Sequence, residues 1–350
     1  MTYDAILLIS FGGPERREDV IPFLENVTRG RNIPRERLLQ VAEHYYHFGG
    51  KSPINDQCRE LIAALRRELD ANSITLPIYW GNRNWNPFIV EALREMRSDG
   101  IQRALALVTS AYSSYSSCRQ YRENIASAQC EIGPGVPRVD KLRVFYNHPG
   151  FIEACNARVC EALSKFLPEE RDSLRFVVTA HSIPGSMAQT SDYERQLRET
   201  ARLVAKFAAL PDWDLVFQSR SGPPTQAWLE PDILDHLYKL QAAGVRNVLV
   251  APLGFISDHM EVLYDLDNEA QALAKQLGIK MIRAATVGTH PAFVRAIRQL
   301  ICERLSPQEH KLAIGEFVAN HDECPAECCP PPSRAGKPLS SEAPAVLRHA

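Results

Sequence analysis

Short apolar runs recur along this chain with helix-patterned stretches between them, and that alternation constrains the fold more than any single motif. The runs fall at residues 5–10, 76–80, 104–110, 142–146, 175–180, 215–218, 247–252 and 279–284. Most are continuously apolar rather than alternating, the pattern of strands buried on both faces in a parallel sheet. Between them, residues 57–69, 87–96, 193–208 and 293–305 carry amphipathic helical periodicity. A β-α-β-α rhythm of this kind predicts an α/β fold with right-handed crossovers. The rhythm runs twice, over residues 1–145 and 146–310, so two parallel-sheet halves flanked by helices are expected. From 311 the character changes. Residues 311–332 form a Cys- and Pro-rich extension, and the polar stretch 333–350 is expected to be disordered.

Ligand sites in open parallel sheets form beyond the carboxyl ends of the strands. That rule directs attention to residues 11–14, 109–117, 181–185, 218–224 and 254–261.

Bulk properties exclude several classes. The 350 residues carry 40 Lys and Arg against 42 Asp and Glu, and this balance lacks the basic excess of a nucleic-acid-binding protein. No apolar run reaches about 18 residues, so no transmembrane helix is expected. The opening MTYDAILLISFGG runs directly into a strand without a secretory apolar core. A soluble cytoplasmic protein is the expectation. The nine cysteines are odd in number, which argues against a disulfide framework, and three of them crowd into the extension as Cys324, Cys328 and Cys329.

Five segments could carry chemistry. TAHSIP at 179–184 puts His181 at a strand's carboxyl end, where a neutral imidazole can bind metal or take a proton. The same histidine can equally satisfy a loop hydrogen bond. SDHMEVLYDLDNE at 257–269 spaces Glu261, Asp265 and Glu269 four apart, one acidic row along a helix face. Such a row can be a solvated surface, or it can conduct cations or protons inward. TRGR at 28–31 and YSSYSSCRQYR at 112–122 combine hydroxyls, aromatics and cations suited to a flat anionic ligand, although exposed loops share this composition. The thiols of the extension suit iron–sulfur or zinc. A fourth ligand would come from the folded domain, with Cys155 on its apolar helix face preferred and Cys160 in reserve.

LLISFGGP, GGKSPI, TSAYSSYSSCRQYREN, TAHSIP, QSRSGPPTQAWLEPD and APLGFISDHMEVLYDLD, in this order over residues 3–310, resemble the successive signatures of ferrochelatases, in the form of the actinobacterial-type coproporphyrin III ferrochelatases. The resemblance implies two Rossmann-like halves around a porphyrin cleft, Fe²⁺ and a porphyrin as substrates, and transient contact with neighbouring haem-pathway enzymes. It implies that His181 and Glu261 meet across the cleft to handle iron and pyrrole protons, with Asp265 and Glu269 continuing a metal or proton path. Ser52, Tyr121, Tyr45 and Arg29 match porphyrin-contact positions. Phe11 stands where some relatives carry an iron-ligating Tyr and has no donor to offer. A [2Fe–2S] cluster on Cys324, Cys328, Cys329 and a domain cysteine is implied, although the tail spacing differs from the familiar patterns. The competing readings are a protoporphyrin IX ferrochelatase, a cobalt or nickel tetrapyrrole chelatase, a two-lobed binding protein and a haem-binding or iron–sulfur sensor.

Overall fold

The computed structural model describes residues 3–30, 33–223, 225–306 and 308–332. The expectation of disorder for 333–350 therefore lies outside the described residues.

The strands are β1 (Ala5–Ser10), β2 (Ile78–Asn82), β3 (Arg103–Val108), β4 (Arg138–Lys141), β5 (Leu174–His181), β6 (Trp213–Gln218), β7 (Asn247–Ala251) and β8 (Lys280–Arg283). They form two four-stranded sheets, ordered β2-β1-β3-β4 and β6-β5-β7-β8. Every pairing is parallel. The two sheets share one winding order, which accounts for the repeated rhythm of the sequence.

The burial of the strands explains their unbroken apolar runs. Ile6 and Leu8 of β1, with Phe176, Val178 and Ala180 of β5, face a single core shared by both sheets. Ala5, Leu7 and Ile9 point the other way, under helices Ile89–Ser98 and Gln120–Ile132. Val177 and Val250 likewise face away, toward helix Ile233–Ala242. Helix Pro291–Leu305 packs on both Ile54–Ala71 and Pro149–Leu163, joining the two sheets through their inner helices.

Two sequence expectations are corrected. The apolar run 142–146 is no strand. The chain pairs with β3 through the preceding, more polar Arg138–Lys141, which suffices at an edge position. Leu142, Val144, Phe145 and Tyr146 then pass into the shared core as the crossing to the second sheet. The helix expected over 257–269 is also irregular. A short turn Met260–Val262 leads into a π-helix, Leu263–Ala270, and then into Gln271–Gln276.

Candidate active site and the tail thiols

His181 is the last residue of β5, as the strand-end rule requires. The loop after β7 crosses beside it, because Gly254 has no side chain: a Cβ there would lie 2.5 Å from the Cβ of Ala180. This approach, together with the turn at Met260–Val262, brings Glu261 opposite His181. Their Nε2 and Oε2 atoms stand 3.6 Å apart, with 32% and 47% of the side-chain surfaces accessible. The histidine is oriented from behind by its Nδ1–H, which donates to the backbone oxygen of Ser182. The Tyr193 hydroxyl donates to the His181 carbonyl at 3.0 Å.

Charge favours an ion pair. Burial alone would lower the His181 pKa, but the Glu261 carboxylate outweighs it and raises the group to about 9. Glu261 is correspondingly held low by the His181 charge, against the burial that opposes it. A neutral imidazole, the form able to bind metal, is therefore opposed near neutrality by the neighbouring anion, which favours the protonated ring.

The acidic row follows the π-helix. Asp265 accepts from Gln218 Nε2 at 3.2 Å and from the Ser219 hydroxyl. The same Gln218 nitrogen donates to the backbone oxygen of Glu261 at 3.2 Å. Burial, reinforced by Glu261, raises the Asp265 pKa to about 7. Glu269 is raised by burial and by Asp232. The π-helix that follows Glu261 thus carries Asp265 and Glu269 onward from the His181–Glu261 pair, and π-helices of this kind cluster at functional sites.

On the opposite wall, Tyr45 lies within electrostatic reach of Glu261, which with burial raises its pKa. Phe23 joins Tyr45 and Phe11 in edge contacts, with centroids 5.8 and 6.3 Å away. The Arg83 guanidinium stands 5.9 Å from the Phe11 ring and 5.8 Å from the Tyr121 ring. Ser52 is buried beneath the backbone of Gly13 and binds Pro14 O through its own N–H. Arg29 is exposed just beyond helix Val20–Val27. Sequence reasoning missed Arg83 and, although it singled out residues 218–224 and 254–261, did not name Gln218, Ser219 or His259 within them. The last caps the Glu261 turn, its Nδ1 accepting from Glu261 N at 3.2 Å. Arg83 directly follows β2, so the strand-end rule would have found it had β2 been extended to Asn82.

The tail forms a second group. It runs back over the molecule, with Asn147 Nδ2 donating to Phe317 O at 2.8 Å and Arg143 Nη2 to Leu312 O at 2.8 Å. Arg119 Nη1 binds the carbonyls of Ala326 and Cys328 at 2.9 and 3.3 Å, and Arg122 Nη1 that of Cys324 at 3.2 Å. The Cys328 and Cys329 sulfurs are 3.6 Å apart. The domain thiol that reaches them is Cys118, hydrogen-bonded to Cys324. Cys155, the fourth ligand preferred from the sequence, lies in the shared core beside Tyr112, where burial pushes its thiol pKa up. Cys160 is exposed and contacts Asn156.

Two parallel sheets of identical winding, with a facing His–Glu pair at a strand end, define a chelatase-type α/β protein. SirB from Bacillus subtilis, solved with Fe³⁺, shares the fold at a TM-score of 0.54 and 13% identity, covering 89% of this chain and 99% of its own. The ferrochelatase family model matches residues 3–305. A ferrochelatase from Rhodopirellula baltica is 54% identical over 97% of this chain and 98% of its own length. The coproporphyrin III ferrochelatase of Streptomyces coelicolor is 50% identical over 97% and 96%. The chain belongs to the ferrochelatase family and is an enzyme that inserts iron into a porphyrin.

Proposed function

We propose that this ferrochelatase uses coproporphyrin III as its porphyrin and that His181 and Glu261 handle the incoming iron and the departing pyrrole protons. The observation that carries the reading is the His181–Glu261 pair, with facing atoms 3.6 Å apart and both partly accessible. We read residues 1–145 and 146–310 as the halves that flank the porphyrin cleft, and 311–332 as an added strap.

The chemistry follows from the charges. A free porphyrin keeps two N–H protons in a rigid ring, and Fe²⁺ replaces both. Glu261 is an anion held beside a protonated His181, and an arriving dication competes for the same carboxylate and releases the imidazole proton to solvent, leaving a neutral ring. Pyrrole protons then pass to a base near the ring. Asp265, with a pKa of about 7, is poised to accept a proton near neutrality, and Glu269 continues the row. Phe11 supplies no metal ligand from the other wall, where Arg83 supplies a cation; Tyr121, the porphyrin contact that the resemblance implies, is instead buried in the core beneath its own helix Gln120–Ile132, with its ring behind that guanidinium.

Coproporphyrin carries propionates where protoporphyrin carries vinyls, so it gains more from cations such as Arg83 and Arg29. The name of the Streptomyces relative supports the same choice. Purified protein assayed anaerobically with Fe²⁺ should give a higher kcat/KM for coproporphyrin III than for protoporphyrin IX. Equal or reversed preference would overturn the substrate, and faster insertion of cobalt or nickel into another tetrapyrrole would overturn the metal.

The tail thiols fit a [2Fe–2S] cluster, with Cys118 and Cys324 as one pair and Cys328 and Cys329 as the other. A bound cluster would cross-link the tail to the segment that leads into Tyr121. All nine cysteines are free, which suits a reducing compartment, and no helix among the described residues is long and apolar enough to cross a membrane. We place the enzyme in the cytoplasm, in transient contact with its haem-pathway neighbours.

A further inference from the structure

His321 stands outside the proposed cluster, yet it is the residue that the tail brings closest to a metal geometry. Its ring nitrogen and the sulfurs of Cys324 and Cys328 all lie within 4.8 Å of one another. Cys118 touches this group through Cys324, and Cys329 touches it through Cys328. Neither belongs to the compact triad. The sequence order explains the arrangement. His321, Cys324 and Cys328 follow one another along a turn-rich loop whose backbone is pinned by Arg119 and Arg122. Asp322, next to His321, is fixed by Lys311 at 2.6 Å. The loop is therefore shaped by protein contacts before any metal arrives, so little ordering remains to oppose binding.

We propose that the loop is also a single-ion site for a soft divalent cation of the zinc class, held by His321, Cys324 and Cys328 with the fourth corner left to water. One nitrogen and two thiolates are a donor set that zinc prefers, and three protein ligands plus water are a stable zinc arrangement. Two ligand sets thus share Cys324 and Cys328. The outer thiols Cys118 and Cys329 complete the paired set that two irons need. The inner His321 completes the set that one ion needs. A single ion closes the loop on itself and keeps the tail ordered when iron and sulfide are scarce. The inference rests on the thiol geometry and holds whether or not the cluster assignment does.

The test uses the full-length chain, reduced, stripped by chelator, and titrated anaerobically with Co²⁺ and then with Zn²⁺ in competition. The thiolate-to-cobalt charge-transfer band reports sulfur ligation and not the His181–Glu261 pair, which holds no sulfur, and a Cys324→Ser variant that loses the band places it in this loop rather than at the exposed Cys130 or Cys160. The expected band has the intensity of two thiolates, and one Zn²⁺ displaces it. His321→Ala should weaken Zn²⁺ by at least about tenfold. The double variant Cys118→Ser with Cys329→Ser should bind Zn²⁺ as the parent does, while failing to hold iron and sulfide. An intensity of three or four thiolates, undiminished affinity in His321→Ala, or loss of zinc in the double variant would each overturn the proposal. Iron and sulfide content of the as-purified protein judges the cluster separately.

Discussion

The imidazole of His44 lies flat on the ring of Tyr264, with centroids 3.7 Å apart and planes 6° from parallel. His44 belongs to helix Arg35–His47, on the wall of the first sheet, and Tyr264 to the π-helix that carries the acidic row. The stack therefore bridges the cleft beside the Tyr45 that faces Glu261. An aromatic pair of this geometry contributes about 1 kcal/mol. His44→Ala should lower stability by about that much and raise the porphyrin KM severalfold, with kcat little changed. Thermal unfolding and steady-state kinetics check both. An unaltered KM would mean that the stack does not set the position of the wall.

At His181 the expected loss is chemical rather than one of binding. His181→Ala removes the cation that holds Glu261 ionised and a group able to meet the metal. Metal insertion should fall by at least about 100-fold. Porphyrin affinity, followed by quenching of porphyrin fluorescence, should stay within a few-fold. Turnover close to that of the parent would remove His181 from the reaction.

The pH profile reports Asp265. Its pKa, raised to about 7 by burial and by Glu261, makes it a proton acceptor only when ionised. The rate should therefore fall as pH drops through about 7. Ser219 opposes the rise by donating to the carboxylate, and it sits at φ 62°, a conformation glycine adopts freely. Ser219→Gly removes the donor without backbone strain and should move the inflection upward. Asp265→Asn should abolish that limb. The same inflection in all three proteins would show that another group controls the rate.

The fold was legible because burial on both faces writes continuous apolar runs, and β1, β5 and β7 fell within a residue of their expected bounds. The run 142–146 misled because an apolar crossover buried in the core looks like a strand, while the true edge strand Arg138–Lys141 is too polar to show. His181 and Glu261 were legible from strand ends and motif. Their mutual charge was not, because a pKa depends on distances that spacing does not encode. The π-helix was hidden for a similar reason: residues spaced four apart suggest an α-helix, and nothing in LYDLDNEA announces the wider turn. Cys118 stood in a segment already singled out for its aromatics and cations. Only the folded path of the tail joins it to Cys324.

That path gives a prediction that separates Cys118 from Cys155. Hydrogen bonding to Cys324, together with burial, pushes the Cys118 thiol well above its ordinary range. The thiols of Cys324 and Cys328 are raised as well, so without a metal these three groups stay protonated and binding must expel their protons. The Lys141 ammonium beside Cys118 and Cys324 favours the thiolates and eases that step. Cys155 has no such neighbour; it is sealed in the apolar core, where a charged thiolate is costly. Protein purified anaerobically should therefore be reddish, with about two irons and two sulfides per chain. Cys118→Ser should bleach it and lower its melting temperature, because the tail loses its cross-link to the start of helix Gln120–Ile132. Cys155→Ser should remain coloured with full iron content, since its thiol is sealed in the apolar core. Visible absorption with iron and acid-labile sulfide analysis reads both variants. A coloured Cys118→Ser beside a colourless Cys155→Ser would reverse the assignment, and a colourless parent would remove the cluster altogether.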